Sequence, residues 1–542
     1  MIEKPIWLKE KGYLHISPSL KIGDEWGKYY RIITNKEFVE KYAFYPLIHT
    51  NIIDRKFKKA DSEKHKSKGR KHCHTLKENG KADKSNKIRP LHYASHMDAL
   101  VYGYYKEILD ELYEKKLKEN DKLNAAINAY RKIPISEKDI KGKSTIHFAK
   151  EAFDEIKRRG LNDEVCVLTF DLKSFFPSLN HQFLKQKWKW LLGVNELPKD
   201  HYNVFKACTK FRYVLLDDLR VRNHKNGRKS GFNESKLAEI RKKKGYKCFF
   251  ESNEEFRKTI KEGKLRVYKN PFFSNEKVNV GIPQGLPISA LLANLYLYDF
   301  DLEIINKLVE DKGVYYKRYS DDIVIICNSD QAEFIENYIY DLVKQSKVNI
   351  SESKTEKFIF KNVIFSPKHN NKRLTCFKID KKSKKEVETP LLYLGFEFRG
   401  YKTVIKSANL SKYYRKIISI TKRRCTRANI VLGKNPEAKR AIFINQVKKL
   451  YNKPLKINDS ERSDKRNLKR KFSKLKKNDR GFYEFVHYSP KNHKKESNYF
   501  SYVKRCCSIF EEDHFMNQIR KRKHIVYKCI NRHLNNNTDS RF

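Results

Sequence analysis

The chain has 542 residues, with 118 Lys+Arg against 65 Asp+Glu, a formal net charge of +53, and 39% apolar and 13% aromatic residues. That apolar content is ample for buried cores, at roughly 100–200 residues per structural unit, and excludes wholesale disorder. No apolar run approaches the ~18–20 residues of a membrane span. The charged start MIEKPIWLKEKGYLH lacks the apolar stretch of a secretory signal. Ten cysteines without a CxxC pair, the adjacent Cys506 and Cys507 being the closest, read as reduced thiols of a cytoplasmic protein. A charge this large favours polyanions, and nucleic acid is the first candidate.

In chain order, residues 1–53 mix aromatic and apolar residues without a clear period. The basic stretch 54–87 follows; its His65, His72, Cys73 and His74 match no tetrahedral metal pattern. Apolar positions at three-and-four spacing predict a helix over 94–118, and a second over 144–159, with Ser144 as its N-cap and Gly160 as its stop. VCVLTF (165–170) reads as a buried strand that ends in Asp171. A long interval over 182–280 contains the polar, basic stretch 219–247, to which the sequence assigns no role. Residues 287–309 predict a helix entered through Pro287, and VYYKRYSDDIVIIC (314–327) reads as a hairpin. No internal repeat is apparent. From 411 to the end, helical segments carry 36 Lys/Arg against 11 Asp/Glu, and 461–480 is close to a polybasic tract. Each basic tract reads either as a solvated face or as a polyphosphate-binding surface.

The hairpin tip carries Tyr319, Ser320, Asp321 and Asp322. Two adjacent carboxylates between apolar strands are costly unless a cation pairs with them. A hard divalent ion, Mg²⁺ or Mn²⁺, suits carboxylates. Together with the strand-end Asp171, they form the ligand set of two-metal phosphoryl transfer.

These residues carry a resemblance. TFDLKSFF, GIPQGLPISALLANLYL, YSDD, SESKT and LLYLGFEF resemble motifs A, B, C, D and E of reverse transcriptases, in the family's order. KIRPLHYASHMDALVYGYY (87–105) and AYRK (129–132) resemble the finger segments of the bacterial group that includes abortive-infection and other defence-associated members. The resemblance implies an α+β right-hand polymerase, with fingers and an RRM-like antiparallel palm sheet followed by an all-α basic thumb and C-terminal region. The expected segments are an N-terminal extension with basic linker (1–86), fingers (87–164), palm (165–400, with an insertion at about 191–279) and a helical basic region (401–542).

Carried over by position, Asp171, Asp321 and Asp322 would hold two metals, with the Leu172 carbonyl as a backbone ligand. Phe176 would be the aromatic gate that clashes with a ribose 2′-OH and favours deoxynucleotides; ordinary core packing is its other reading. Gly281, Pro283, Gln284 and Gly285 would form the motif B loop, with Gln284 touching template or incoming base. Lys354 would protonate the leaving pyrophosphate, or simply be solvated. Lys87, Arg89 and Arg131 would clamp the triphosphate, and Tyr393, Leu394, Gly395 and Phe396 would be the primer grip. Lys469, Arg470, Lys474, Lys476 and Lys477 are the candidate RNA-binding cations. The resemblance thus implies two Mg²⁺ (or Mn²⁺) ions, dNTP substrates, an RNA template that is a dedicated structured non-coding RNA, and a cDNA product. It implies no membrane partner and is compatible with a homo-oligomer. No integrase, RNase H or endonuclease signature is visible, which favours an antiviral role in the cytoplasm over a mobile element. Two other readings stay open: a template-independent or protein-primed deoxynucleotidyl transferase of the same fold, and a non-catalytic nucleic-acid-binding protein.

Overall fold

The computed structural model describes residues 3–55, 58–59, 72–73, 86–136, 142–222, 229–351, 355–366, 371–379, 385–434, 444–452, 473–477, 483–487 and 497–534. The chain divides into two compact units: residues 1–131 with 166–357, and residues 132–165 with 358–542. The division cuts across the segments expected from sequence, because 132–165 groups with the C-terminal part and not with the rest of the fingers.

The strands that place the site in the first unit are β1 (Leu47–Arg55), β2 (Asn86–Tyr93), β3 (Val165–Asp171), β4 (Arg212–Leu215), β5 (Tyr268–Lys269), β6 (Tyr315–Tyr319) and β7 (Asp322–Asn328). One sheet has the order β2-β1-β4-β5. There β1 and β2 form an antiparallel pair from Ile48↔Tyr93 to Arg55↔Asn86, and β4 joins β1 in parallel. Both β4 and β5 come from the interval that sequence left without a role. That interval and the N-terminal residues share a small core of Ile16, Ile48, Val214, Phe249, Phe250, Phe256 and Leu265. The Phe249 amide donates to the His15 carbonyl at 3.0 Å and the Lys247 carbonyl accepts from Ser19 at 3.1 Å, stitching the two segments together. The insertion therefore completes the sheet begun by the N-terminal hairpin.

The other sheet of this unit runs β6-β7-β3. Its strands are buried through their centres, which explains near-continuous apolar runs in place of alternation. β6 and β7 pair antiparallel from Tyr315↔Ile326 to Tyr319↔Asp322, leaving Ser320 and Asp321 as the turn. The Ala332–Gln345 helix turns Ile335, Ile339, Leu342 and Val343 into the core at the expected spacing. The His96–Lys118 helix is capped by Ser95, whose hydroxyl accepts from the Asp98 amide at 3.1 Å, and ends in three lysines that suit its carboxyl-end dipole. The helix expected over 287–309 is broken into Ser289–Tyr296, Tyr298–Ile304 and a π-helical stretch Ile305–Glu310. At the first break the Leu297 amide bonds the Asn294 carbonyl, three residues back, which tightens the turn.

In the second unit β8 (Glu356–Ser366), β9 (Asn371–Ile379) and β10 (Glu386–Glu388) run antiparallel, and β11 (Leu391–Tyr393), β12 (Phe396–Phe398) and β13 (Thr403–Ile405) form a three-stranded meander. The Thr145–Arg159 helix, begun by a Ser144–His147 capping box, inserts Phe153 against Phe398, stacked at 4.4 Å between ring centroids. Phe396 meets Phe510 of the Tyr499–Phe510 helix at 5.1 Å. This aromatic core explains why 132–165 belongs here. The Ser407–Lys434 and Arg522–Leu534 helices lie in the region expected to be all-α, an expectation corrected by the strands that the same region contributes, Thr403–Ile405 among them. Two short strands, Ser473–Lys477 and Tyr483–His487, are set within it; FYEFVHY has the aromatic, β-branched alternation that favours a strand. Among the described residues no helix is long and apolar enough to cross a membrane.

Candidate active site

The end of β3 and the β6–β7 turn are tied together through their backbones. The Leu172 amide donates to the Asp321 carbonyl at 3.0 Å, the Lys173 amide to Asn349 at 2.7 Å, and the Ser351 amide to the Asp171 carbonyl at 2.8 Å. Asp171, Asp321 and Asp322 are thereby brought to the same end of one sheet. Asp171 and Asp321 are half-buried, Asp322 is exposed, and Leu172 is buried. The hard-oxygen donor set fits Mg²⁺ or Mn²⁺. Among the described residues no three ligating side chains close around one point.

Beneath the turn lies a buried polar network that sequence reasoning missed. Arg318, fully buried, forms a two-pronged pair with the equally buried Asp301, Nε to Oδ1 at 2.7 Å and a terminal nitrogen to Oδ2 at 2.5 Å. Burial opposes the Arg318 charge, but the Asp301 carboxylate outweighs it and holds the guanidinium above its ordinary range. The Tyr316 hydroxyl also donates to Asp301, at 2.6 Å. The remaining terminal nitrogen of Arg318 donates to the Asn294 side chain and to the Ser320 carbonyl, both at 3.2 Å. Asn294 in turn donates to the Ala129 carbonyl at 2.8 Å. Sequence pattern does not single the pair out: Arg318 follows Lys317 in YYKRY, and Asp301 sits between Asp299 and Glu303 in YDFDLEI, although inside the fold the two charges are tolerated as a pair.

Phe176 sits in the short Phe175–Ser178 helix, half-buried, its ring 5.9 Å from that of Phe175. The motif B segment lies against it. The Ile282 amide donates to the Phe176 carbonyl at 2.9 Å and the Gly281 amide to Leu179 at 2.8 Å. Gly281 has φ +78°, and a Cβ there would sit 2.4 Å from the Pro177 carbonyl oxygen. Gly285, at φ +122°, would put a Cβ 2.4 Å from the His92 carbonyl oxygen. Only glycine fits either place. Pro283 is buried and its carbonyl accepts from the Ser289 hydroxyl at 2.7 Å; Gln284 is half-buried and its carbonyl accepts from the His92 amide at 2.8 Å. The loop is thus fastened to β2, the strand that carries Lys87 and the half-buried Arg89.

Arg131 is corrected. Expected to clamp a triphosphate, it has all five guanidinium N–H donors engaged, with both Glu114 oxygens, the Asn124 and Ile127 carbonyls and the Asn124 side chain, at 2.5–2.8 Å. The arginine is an internal staple, because no donor remains for a phosphate. Lys354, Lys469 and Arg470 lie outside the described residues, as do the side chains of Lys87, Lys474, Lys476 and Lys477. Tyr393 and Phe396 flank the β11–β12 turn in the second unit, both buried. Between them Leu394 and Gly395 have φ +44° and +92°. Two positive φ values suit a two-residue hairpin.

Residues 120–398 match the family described as reverse transcriptase (RNA-dependent DNA polymerase). No curated protein matches the chain. Among solved structures, an apo telomerase from Candida tropicalis truncated from its C-terminal domain is similar at 10% identity and a TM-score of 0.33, over 60% of this chain and 53% of that one. Telomerase from Candida albicans in complex with a TWJ fragment of telomeric RNA is similar at 10% identity and a TM-score of 0.32, over 62% and 47%. The chain spans about half the length of these structures.

Proposed function

The chain belongs to the reverse transcriptase family, and from that premise we propose that it copies an RNA template into DNA with Asp171, Asp321 and Asp322 as its metal-holding residues. The observation that carries this reading is the backbone bond from Leu172 to Asp321, which brings the β3 carboxylate and the turn carboxylates to one end of a sheet. Bound there, two divalent ions would activate the attacking hydroxyl and stabilise the leaving pyrophosphate. Phe176 limits the space beside the sugar and so selects deoxynucleotides. The motif B loop, pinned where only glycine fits, offers Gln284 to the template or the incoming base. The basic C-terminal region holds the RNA through its phosphates.

Asp321→Asn and Asp322→Asn should each lower deoxynucleotide incorporation by at least about a hundred-fold, since metal stabilisation is worth several kcal/mol. Retention of RNA should stay near wild type. Normal polymerisation with Mg²⁺ by either variant would overturn the assignment.

At finer detail, we place the protein among the bacterial defence-associated members, acting in the cytoplasm with a dedicated structured RNA. The support is the resemblance of the segments at 87–105 and 129–132 to that group. Sequencing the RNA and DNA that co-purify from cells tests this: cDNA complementary to one bound RNA is expected, and DNA matching no bound RNA would refute templated synthesis.

A further inference from the structure

Tyr130 has a conformation that its own chemistry disfavours. It is a bulky residue at φ +65°, in the left-handed region that side chains of its kind seldom enter. It is also 48% exposed, so packing does not repay the strain. Its neighbours explain how it is held. The Asn128 amide donates to the Arg318 carbonyl at 3.0 Å, the Ala129 carbonyl accepts from Asn294, and Arg131 is fastened through all five donors. With both flanks fixed, the residue between them has no freedom to relax.

The strained side chain reaches the hairpin turn. The Tyr130 hydroxyl shares a hydrogen bond with the Ser320 hydroxyl at 3.2 Å. Ser320 is itself at φ +61° and only 3% exposed. Its carbonyl is held from below by Arg318 at 3.2 Å. Ser320 immediately precedes Asp321 and Asp322, so its two attachments, one to each side of the residue, fix the direction in which the turn presents both carboxylates.

We propose that Tyr130 is a positioning residue for the catalytic carboxylates, acting through the Ser320 hydroxyl to set the geometry in which Asp321 and Asp322 meet the divalent ions. This inference rests on the metal-holding reading of Asp321 and Asp322. It extends that reading to a residue outside the metal-holding set.

The test is a double-mutant cycle on the full chain. Tyr130→Phe keeps the ring and removes only the hydroxyl; Ser320→Ala removes its partner. Single-nucleotide incorporation on an annealed primer–template should show kcat lowered about five-fold by either change, the size expected of one hydrogen bond. KM for the dNTP should stay within about two-fold, and the double variant should be no worse than either single one. Binding of Mn²⁺ to the protein without nucleotide, read from the free-ion EPR signal, should weaken by a similar factor. Tyr130→Asn, which tolerates the left-handed backbone, should match Tyr130→Phe in kcat while leaving the urea midpoint of the metal-free chain no lower than wild type, since the strain is relieved. Independent losses that multiply to about 25-fold, unaltered Mn²⁺ binding, or a midpoint that falls with activity would overturn the proposal. Asp321→Asn and Asp322→Asn separate the two failures. If they are inactive while Tyr130→Phe behaves as wild type, only this inference falls; if they are active, the metal-holding reading falls and takes this one with it.

Discussion

The Arg318–Asp301 pair allows stability and site geometry to be measured apart. Asp301→Asn leaves the Arg318 guanidinium charged, buried and without its counter-charge. One amide oxygen then faces three donors: two from Arg318 and the Tyr316 hydroxyl. Breaking one side of a buried pair costs about 3–5 kcal/mol. All four tryptophans, Trp7, Trp26, Trp188 and Trp190, lie in the same unit as the pair, so tryptophan fluorescence during urea unfolding reports on that unit. The midpoint should fall by the equivalent of that cost. Replacing both partners by apolar residues of similar size, Arg318→Met with Asp301→Leu, should recover most of it, because no orphaned charge remains. Incorporation should not recover with it. The Ser320 carbonyl still lacks its donor from Arg318, a bond of about 1 kcal/mol, and a residual drop of about five-fold is expected. A cost below about 1 kcal/mol for Asp301→Asn would refute the reasoning on stability. A double variant with wild-type activity would refute the claim that Arg318 orients the turn.

Phe176→Val should let ribonucleotides be incorporated far more readily, compared with dNTPs on one template; an unchanged preference would return Phe176 to core packing. Changing Lys469, Arg470, Lys474, Lys476 and Lys477 to Glu should weaken RNA retention and flatten the log–log salt slope, by roughly 0.7 for each single-strand phosphate that is no longer neutralised. A short primer–template at low salt should still be extended, and an unchanged slope would make the tract a solubilising tail. Burial pushes His15 and His92 down to about 3 and Asp98 up to about 6. The histidines' stability is complete above about pH 6.5 and is lost as pH falls towards 3, at about 1.4 kcal/mol per pH unit each once well below 6.5. Asp98 acts in the opposite sense between about 4 and 6, but burial also lowers His49, His96, His181 and His201, so urea midpoints should fall from pH 6.5 to 4.5; a flat profile would contradict this.

The acid positions and the helices beside them were legible because they depend on local pattern. Strand-end Asp171, the YSDD hairpin and the glycines of the motif B loop announce themselves by residue type and spacing. What the sequence hid depends on who meets whom. Arg131 looked like a phosphate ligand by position, yet Glu114 and Asn124, on the two preceding helices, take its whole fork. The insertion had no role that the sequence assigns, yet it supplies β4 and β5 to a sheet begun by residues 47–93. The helix at 144–159 was assigned by chain order to the fingers, and only the Phe153–Phe398 stack reveals its company. No periodicity encodes such pairings, because each is settled by segments far apart in the chain.

Backbone strain follows the same boundary between local rule and tertiary demand. Among the described residues, the non-glycine positions with positive φ include Tyr130, Ser174, Ser320 and Leu394. Ser174 begins the helix that bears Phe176, Ser320 precedes the paired aspartates, and Leu394 occupies the turn expected to grip the primer. A left-handed residue of this kind costs on the order of 1–3 kcal/mol and persists only where its surroundings over-determine it. Around Ser320 those restraints are identifiable: Arg318 holds its carbonyl and Tyr130 its hydroxyl. Local preference alone would relax the turn and swing both carboxylates. The buried ion pair resists this from the core side, so the charge that seemed most expensive to bury also keeps the carboxylates aimed.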